Sequence, residues 1–142
     1  MTRIDFHTNV TDSHAYTCRL VRKARHAAAA SQIVILVKDK SELSKLDDAL
    51  WTFSAQDFLP HAVAGDALAA QSSVILTDDA AFAPHQDILI NLSGAVPTSF
   101  AQFERVFEIV SQDVSDTEAG RQRFAYYRQR GYQLTHSIAS SS

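Results

Sequence analysis

The apolar residues of this chain come in two rhythms. Three short runs, Gln32-Ile-Val-Ile-Leu-Val37, Ser73-Val-Ile-Leu-Thr77 and Asp87-Ile-Leu-Ile-Asn-Leu92, are rich in β-branched side chains with almost no polar interruption. That is the composition of strands covered on both faces of a parallel sheet. Ile4-Asp-Phe-His7 alternates apolar with polar and reads as a short first strand. Elsewhere the spacing turns helical. Tyr16, Leu20, Val21 and Ala24, with Arg19, Arg22, Lys23 and Arg25 between them, predict a helix over 13–30 with a basic outer side, capped by Asp12 or Ser13. Leu43, Leu46, Ala49 and Leu50 predict a second, capped by Ser41 and ending at Trp51. Phe100, Phe103, Val106, Phe107 and Val110 recur with a 3.6-residue period and predict a third over 100–110. After a break at 111–116 the chain enters a final helix. The order strand, helix, strand, helix, strand, strand, helix, helix predicts an α/β fold with a mainly parallel sheet and helices on both faces. No repeat or low-complexity linker divides it. Residues 1–136 read as one domain and 137–142 as a small polar tail that frays.

Length and composition agree with this pattern. At 142 residues, 46% hydrophobic and 20% charged, the chain is a single globular domain with enough apolar material for a core. It has no membrane-length apolar run and no apolar segment near Met1 of the signal-peptide kind. The single cysteine, Cys18, falls in a helical pattern and reads as a small buried hydrophobe. The cytoplasm is the expected compartment.

Charge adds more. No acidic residue follows Glu118, whereas Arg121, Arg123, Arg128 and Arg130 do, so the formal charge of −3 divides into −7 for residues 1–118 and +4 for the remainder. An acidic body argues against non-specific binding of nucleic acid by the whole surface. On a helix Arg121, Phe124 and Arg128 share one face, and Arg123, Tyr126, Tyr127 and Arg130 the next. Guanidinium groups beside aromatic surface suit a ligand carrying carboxylates and an apolar ring. They also suit a single strand with bases to stack, or a terminal helix with aromatics inward and arginines in water.

Signs of catalysis are few. With four glycines there is no G-x-G-x-x-G and no Walker loop, so the usual phosphate cradles are missing. The six histidines, His7, His14, His26, His61, His85 and His136, have no tight metal-ligand spacing, and no metal or cofactor is expected. Asp47 and Asp48, adjacent on a helix, diverge by about 100° and make poor acid–base partners. Asp78-Asp79 at a strand end is better placed, though caps and loops use such pairs too. A second concentration of interaction-type residues is Trp51 with Phe53, Phe58, Leu59 and Pro60, an aromatic segment suited equally to a core or to an interface anchor.

Leu46-Asp-Asp-Ala-Leu-Trp51, Phe58-Leu-Pro-His61 with Gly65 beyond it, Asp87-Ile-Leu-Ile-Asn-Leu92, the expected helix from Phe100 to Val110 and Arg123-Phe-Ala-Tyr-Tyr-Arg-Gln-Arg-Gly-Tyr132 together resemble the chi subunit family of bacterial DNA polymerase III. The order and spacing match over most of the chain. Residues 66–86 match poorly, and the join at 111–120 is a few residues shorter. The resemblance implies a Rossmann-like fold and an adaptor without catalytic activity. It implies two partners. One is the psi subunit, which tethers chi to the clamp loader. The other is the C-terminal tail of the single-stranded DNA-binding protein, which carries aspartates, a proline and a final phenylalanine with its free carboxylate. Nucleic acid would then be reached only indirectly. By position the resemblance places Arg121 and Phe124 in the tail site, with Arg128 and Arg123 supplying further charge and Val114 lining a pocket for the phenyl ring. It places Trp51, Phe58, Pro60 and His61 on an opposite surface for psi or a competing helicase. Ala125 departs from a lysine common in the family. The rival readings are a small Rossmann-like enzyme binding a nucleotide or cofactor near Asn9, Lys38–Lys40 or Asp78, and direct binding of single-stranded DNA by the arginine helix.

Overall fold

The short apolar runs form the middle of the sheet. A computed structural model describes residues 2–27, 32–53, 62–63, 73–79, 81 and 86–139. Its elements in chain order are β1 (Arg3–Val10), α1 (Ser13–Ala27), β2 (Ile33–Leu36), α2 (Lys40–Phe53), β3 (Ala62–Val63), β4 (Val74–Thr77), β5 (Ile88–Asn91), a 3-10 turn (Phe100–Gln102), β6 (Arg105–Ser111), α3 (Val114–Gln129) and β7 (Gln133–Ile138). The strands lie in the order β3-β4-β2-β5-β6-β1-β7, and every described pairing is parallel.

Alternate side chains of the central strands feed two cores, which makes the fold three layers deep. Ile33, Ile35, Ile88, Ile90, Phe107 and Ile109 meet Cys18 and Val21 of α1 and Leu46 and Leu50 of α2. Val34, Leu36, Leu89, Val106 and Val110 meet Phe100, Phe103 and Tyr127 on the other side, the side of α3. Cys18 is fully buried, and burial together with nearby Asp12 pushes its thiol up to about 11. Asp12 Oδ1 accepts the Ala15 N–H at 3.1 Å and starts α1, which is described as far as Ala27.

Three expectations are corrected. The segment 100–110 is a 3-10 turn followed by strand β6, between β5 and β1. Its helical rhythm arises because Glu104 and Glu108 look like the polar stripe of a helix. In fact Glu108 is fully buried, and Val106 to Val110 is an inner strand facing both cores. The chain does not fray from residue 137. β7 pairs with β1 through Ile138, and the Ala139 N–H donates to the Thr8 carbonyl at 2.9 Å. The cap of α2 is Asp39, whose Oδ1 accepts the Glu42 N–H at 2.9 Å, not Ser41. Phe58, Pro60 and His61 lie outside the described residues. No described helix is long and apolar enough to cross a membrane.

Candidate functional site

The helix α3 is fixed at both ends. At its start Asp113 Oδ1 accepts the Ser115 N–H at 3.2 Å, and Asp116 Oδ2 accepts the Ser111 N–H at 2.7 Å. At its end Gly131, at φ 80°, takes the left-handed turn into β7. Gly120 presses against β6 so closely that a Cβ there would lie 2.9 Å from Val110 Cγ2.

The inward face carries charge. Arg123 is 3% exposed, and its Nε donates to Glu108 Oε1 at 3.0 Å. Tyr127 donates to Glu108 Oε2 at 2.6 Å, and Asn91 Nδ2 reaches both carboxylate oxygens at 2.9 and 3.0 Å. Burial pushes the Glu108 carboxyl up against the pull of Arg123, Tyr127 and Asn91. Burial and the Glu108 charge push the Tyr127 hydroxyl up as well. The structure therefore removes Arg123 from the surface where the sequence expectation put it. An arginine one position from a solvent-facing neighbour looks exposed until its buried partner, Glu108, is known.

The outward face keeps the rest. Arg121, Phe124, Ala125 and Arg128 border a hollow of about 470 Å³, closed below by Phe6, Thr8 and Val110 and at the sides by Thr117, Gly120 and His136. Arg121 and Arg128 are exposed at its rim; Glu118 reaches Arg121 at 3.8 Å. Phe124 packs edge-on against Phe6, with ring centroids 5.2 Å apart. Among the described residues no carboxylate lines the hollow. Val114 is 84% exposed in the first turn and stands outside the lining, one turn before Thr117; on that part of α3 the lining is Thr117 and Gly120. Arg130 lies elsewhere, its guanidinium 3.6 Å from the Tyr126 ring centroid. His136 was not among the expected site residues; it is brought in by β7, a strand the periodicity does not reveal.

A second cleft, about 440 Å³, lies at the carboxyl ends of β2, β5 and β6, where open α/β sheets hold ligands. Its lining includes His14, Lys38, Glu42, Ser93, Asp113 and Asp116. The helix starts that could receive a phosphate there hold carboxylates of the chain itself: Asp12 on α1, Asp39 on α2, and Asp113 on α3. His14 Nε2 is taken by Glu42 at 2.9 Å. Negative charge already occupying those N–H groups disfavours a nucleotide. Asp78, the other strand-end candidate, lies 3.7 Å from Lys40 as an ion pair.

Trp51, near the end of α2, is 47% exposed. It belongs to the layer of α1 and α2, with the sheet between it and α3.

Comparison with known proteins is consistent across the chain. DNA polymerase III subunit chi of Pseudomonas aeruginosa is 34% identical over 138 residues, covering 94% of each chain. The subunit of that name from Escherichia coli K12 is 31% identical over 111 residues, covering 75% of this chain and 73% of that one. Among solved structures, T4 UvsW superposes with a TM-score of 0.69 at 7% identity, over 97% of this chain and 41% of that one, a likeness of fold alone. The family described as DNA polymerase III chi subunit, HolC, matches residues 1–135. With that family covering the arginine helix, the sheet and α2 alike, the chain belongs to the chi subunits of DNA polymerase III.

Proposed function

We propose that this accessory subunit is a non-catalytic adaptor joining the psi subunit to the C-terminal tail of single-stranded DNA-binding protein. The observation that carries the tail site is the carboxylate-free apolar hollow flanked by Arg121 and Arg128. A peptide ending in aspartates and a phenylalanine presents the complementary groups: its carboxylates for the two guanidinium groups and its ring for the surface of Phe6, Phe124 and Val110. Ala125 leaves room in this wall and contributes no charge, so the arginines carry the electrostatics. The surface we propose for psi is the α2 layer around Trp51, with Phe58, Pro60 and His61 beside it in sequence; a helicase partner would compete there.

The test is fluorescence polarisation with a labelled acidic peptide ending in proline and phenylalanine. Binding in the micromolar range is expected, weakening as salt rises. Arg121→Ala should lose about tenfold in affinity, the worth of one charge-assisted contact. A variant that binds as tightly as the parent would remove Arg121 from the site.

The competing enzyme reading rests on the cleft at the strand ends. Its self-capped helix starts count against a phosphate ligand, and a screen for nucleotides that raise the melting temperature addresses it directly.

A further inference from the structure

The hollow beside Arg121 and Arg128 has an imidazole on its far wall. His136 stands opposite Phe6 in the β1–β7 register, so both point toward α3. Its Nε2 lies 2.7 Å from Thr8 Oγ1, and its side chain is exposed and lines the hollow. The imidazole and the two guanidinium groups thus flank one apolar floor.

The charged groups around His136 are few. From α3 they are Arg121 and Arg128 in the hollow itself, with Glu118 behind as the partner of Arg121. From β1 it is His7, on the opposite face of the sheet but close enough to feel the His136 charge. Among the described residues no carboxylate lines the hollow to satisfy a proton on this ring.

A neutral imidazole has one N–H; the cation has two. With Nε2 held by Thr8 Oγ1, the cation donates Nε2–H to the hydroxyl and keeps Nδ1–H and its charge for a ligand. We propose that His136 is a proton-dependent third anchor for an anionic ligand in this hollow, tightening the grip on the carboxylates of an acidic peptide as the ring gains its second proton. This inference rests on the reading of the hollow as the site for an acidic tail.

The experiment uses the full chain and the same labelled acidic peptide at pH about 8 and about 6 with ionic strength held constant. The carboxylates of the peptide are ionised at both values, and histidine is the side chain type whose charge can differ between them. The parent should bind about fivefold tighter at the lower pH, the effect of one added charge at a solvent-exposed contact. His136→Gln, which keeps a hydrogen-bonding side chain but cannot be charged, should gain nothing on acidification. His136→Lys should bind at the higher pH as tightly as the parent does at the lower. A gain that survives in His136→Gln, or a parent that binds without any gain, overturns the role of His136 and leaves the peptide site standing. A parent that fails to bind at either pH overturns the peptide site and this inference with it.

Discussion

Two charged residues of this chain show how position decides what a charge does. Glu108 is fully buried on β6 with donors from Arg123, Tyr127 and Asn91 around it. Arg121 is exposed two positions before Arg123 and pairs only loosely with Glu118 at 3.8 Å. Glu108→Gln leaves Arg123 as an uncompensated buried cation and should cost about 3 kcal/mol or more of stability in urea unfolding. Arg121→Ala should change stability by less than about 0.5 kcal/mol. Equal losses would contradict the division of α3 into an inner structural face and an outer solvent-facing one. A third charge gives the acid limb of stability. Burial alone would raise the pKa of Asp5, but hydrogen bonds from Thr135 and Arg105 and the Arg105 charge outweigh it and hold the carboxyl below its usual range. A carboxyl depressed in the fold stabilises at pH above its unfolded value, about 3.9, and loses that contribution as pH falls through the folded value. Lowering the pH from about 5 to about 3 should therefore destabilise the parent more than Asp5→Asn, measured by the shift in the urea midpoint.

At the scale of elements, the contact between Gly120 and Val110 sets how near α3 sits to the sheet. Gly120→Ala would bring a methyl within 2.9 and 3.0 Å of the two Val110 γ-carbons. The expected cost is about 1–3 kcal/mol, despite the better helix propensity of alanine. Val110→Ala removes those carbons, so the double variant should lose less than the sum of the two single ones, read from thermal unfolding. The same elements show what the sequence could carry. The inner strands β2, β4 and β5 were legible because burial on both faces leaves an unbroken apolar run. The helix α3 was legible from its arginine and aromatic spacing. By contrast, β6 was hidden by Glu108, whose burial depends on Arg123 fifteen residues away, a pairing that periodicity does not report. The edge strand β7 was hidden for the opposite reason. Gln133, Thr135, His136, Ser137 and Ile138 are exposed, so the strand lacks a buried apolar signature and is held by backbone pairing to β1. Missing β7 meant missing one wall of the hollow, and with it His136. On α3, Arg121, Phe124 and Arg128 were read correctly to one face because helical spacing alone fixes it.

For the whole molecule, the sheet separates the two proposed docking surfaces. Trp51 belongs to the layer of α1 and α2, and the hollow bordered by Arg121, Phe124 and Arg128 belongs to the layer of α3. An adaptor needs this arrangement, since partners sharing one face would exclude each other, whereas partners on opposite faces can be bridged. The charge division supports it: residues 1–118 carry −7, and residues 119–142 carry +4 with no acid among them. An acidic peptide is thus drawn to the exposed arginines of the α3 side, with a range of about 8 Å at physiological salt. Rigid, separated sites also imply energetic independence, because coupling needs an element with two arrangements that both ligands bias, and the parallel sheet between these layers is packed on both faces. Trp51→Ala should accordingly leave peptide affinity within about twofold of the parent, while lowering affinity for psi. Arg121→Ala should do the reverse. Polarisation titrations of the peptide with and without saturating psi should then give the same dissociation constant. A peptide affinity that falls when psi is bound would place both partners on one surface, and the bridging role would have to be abandoned.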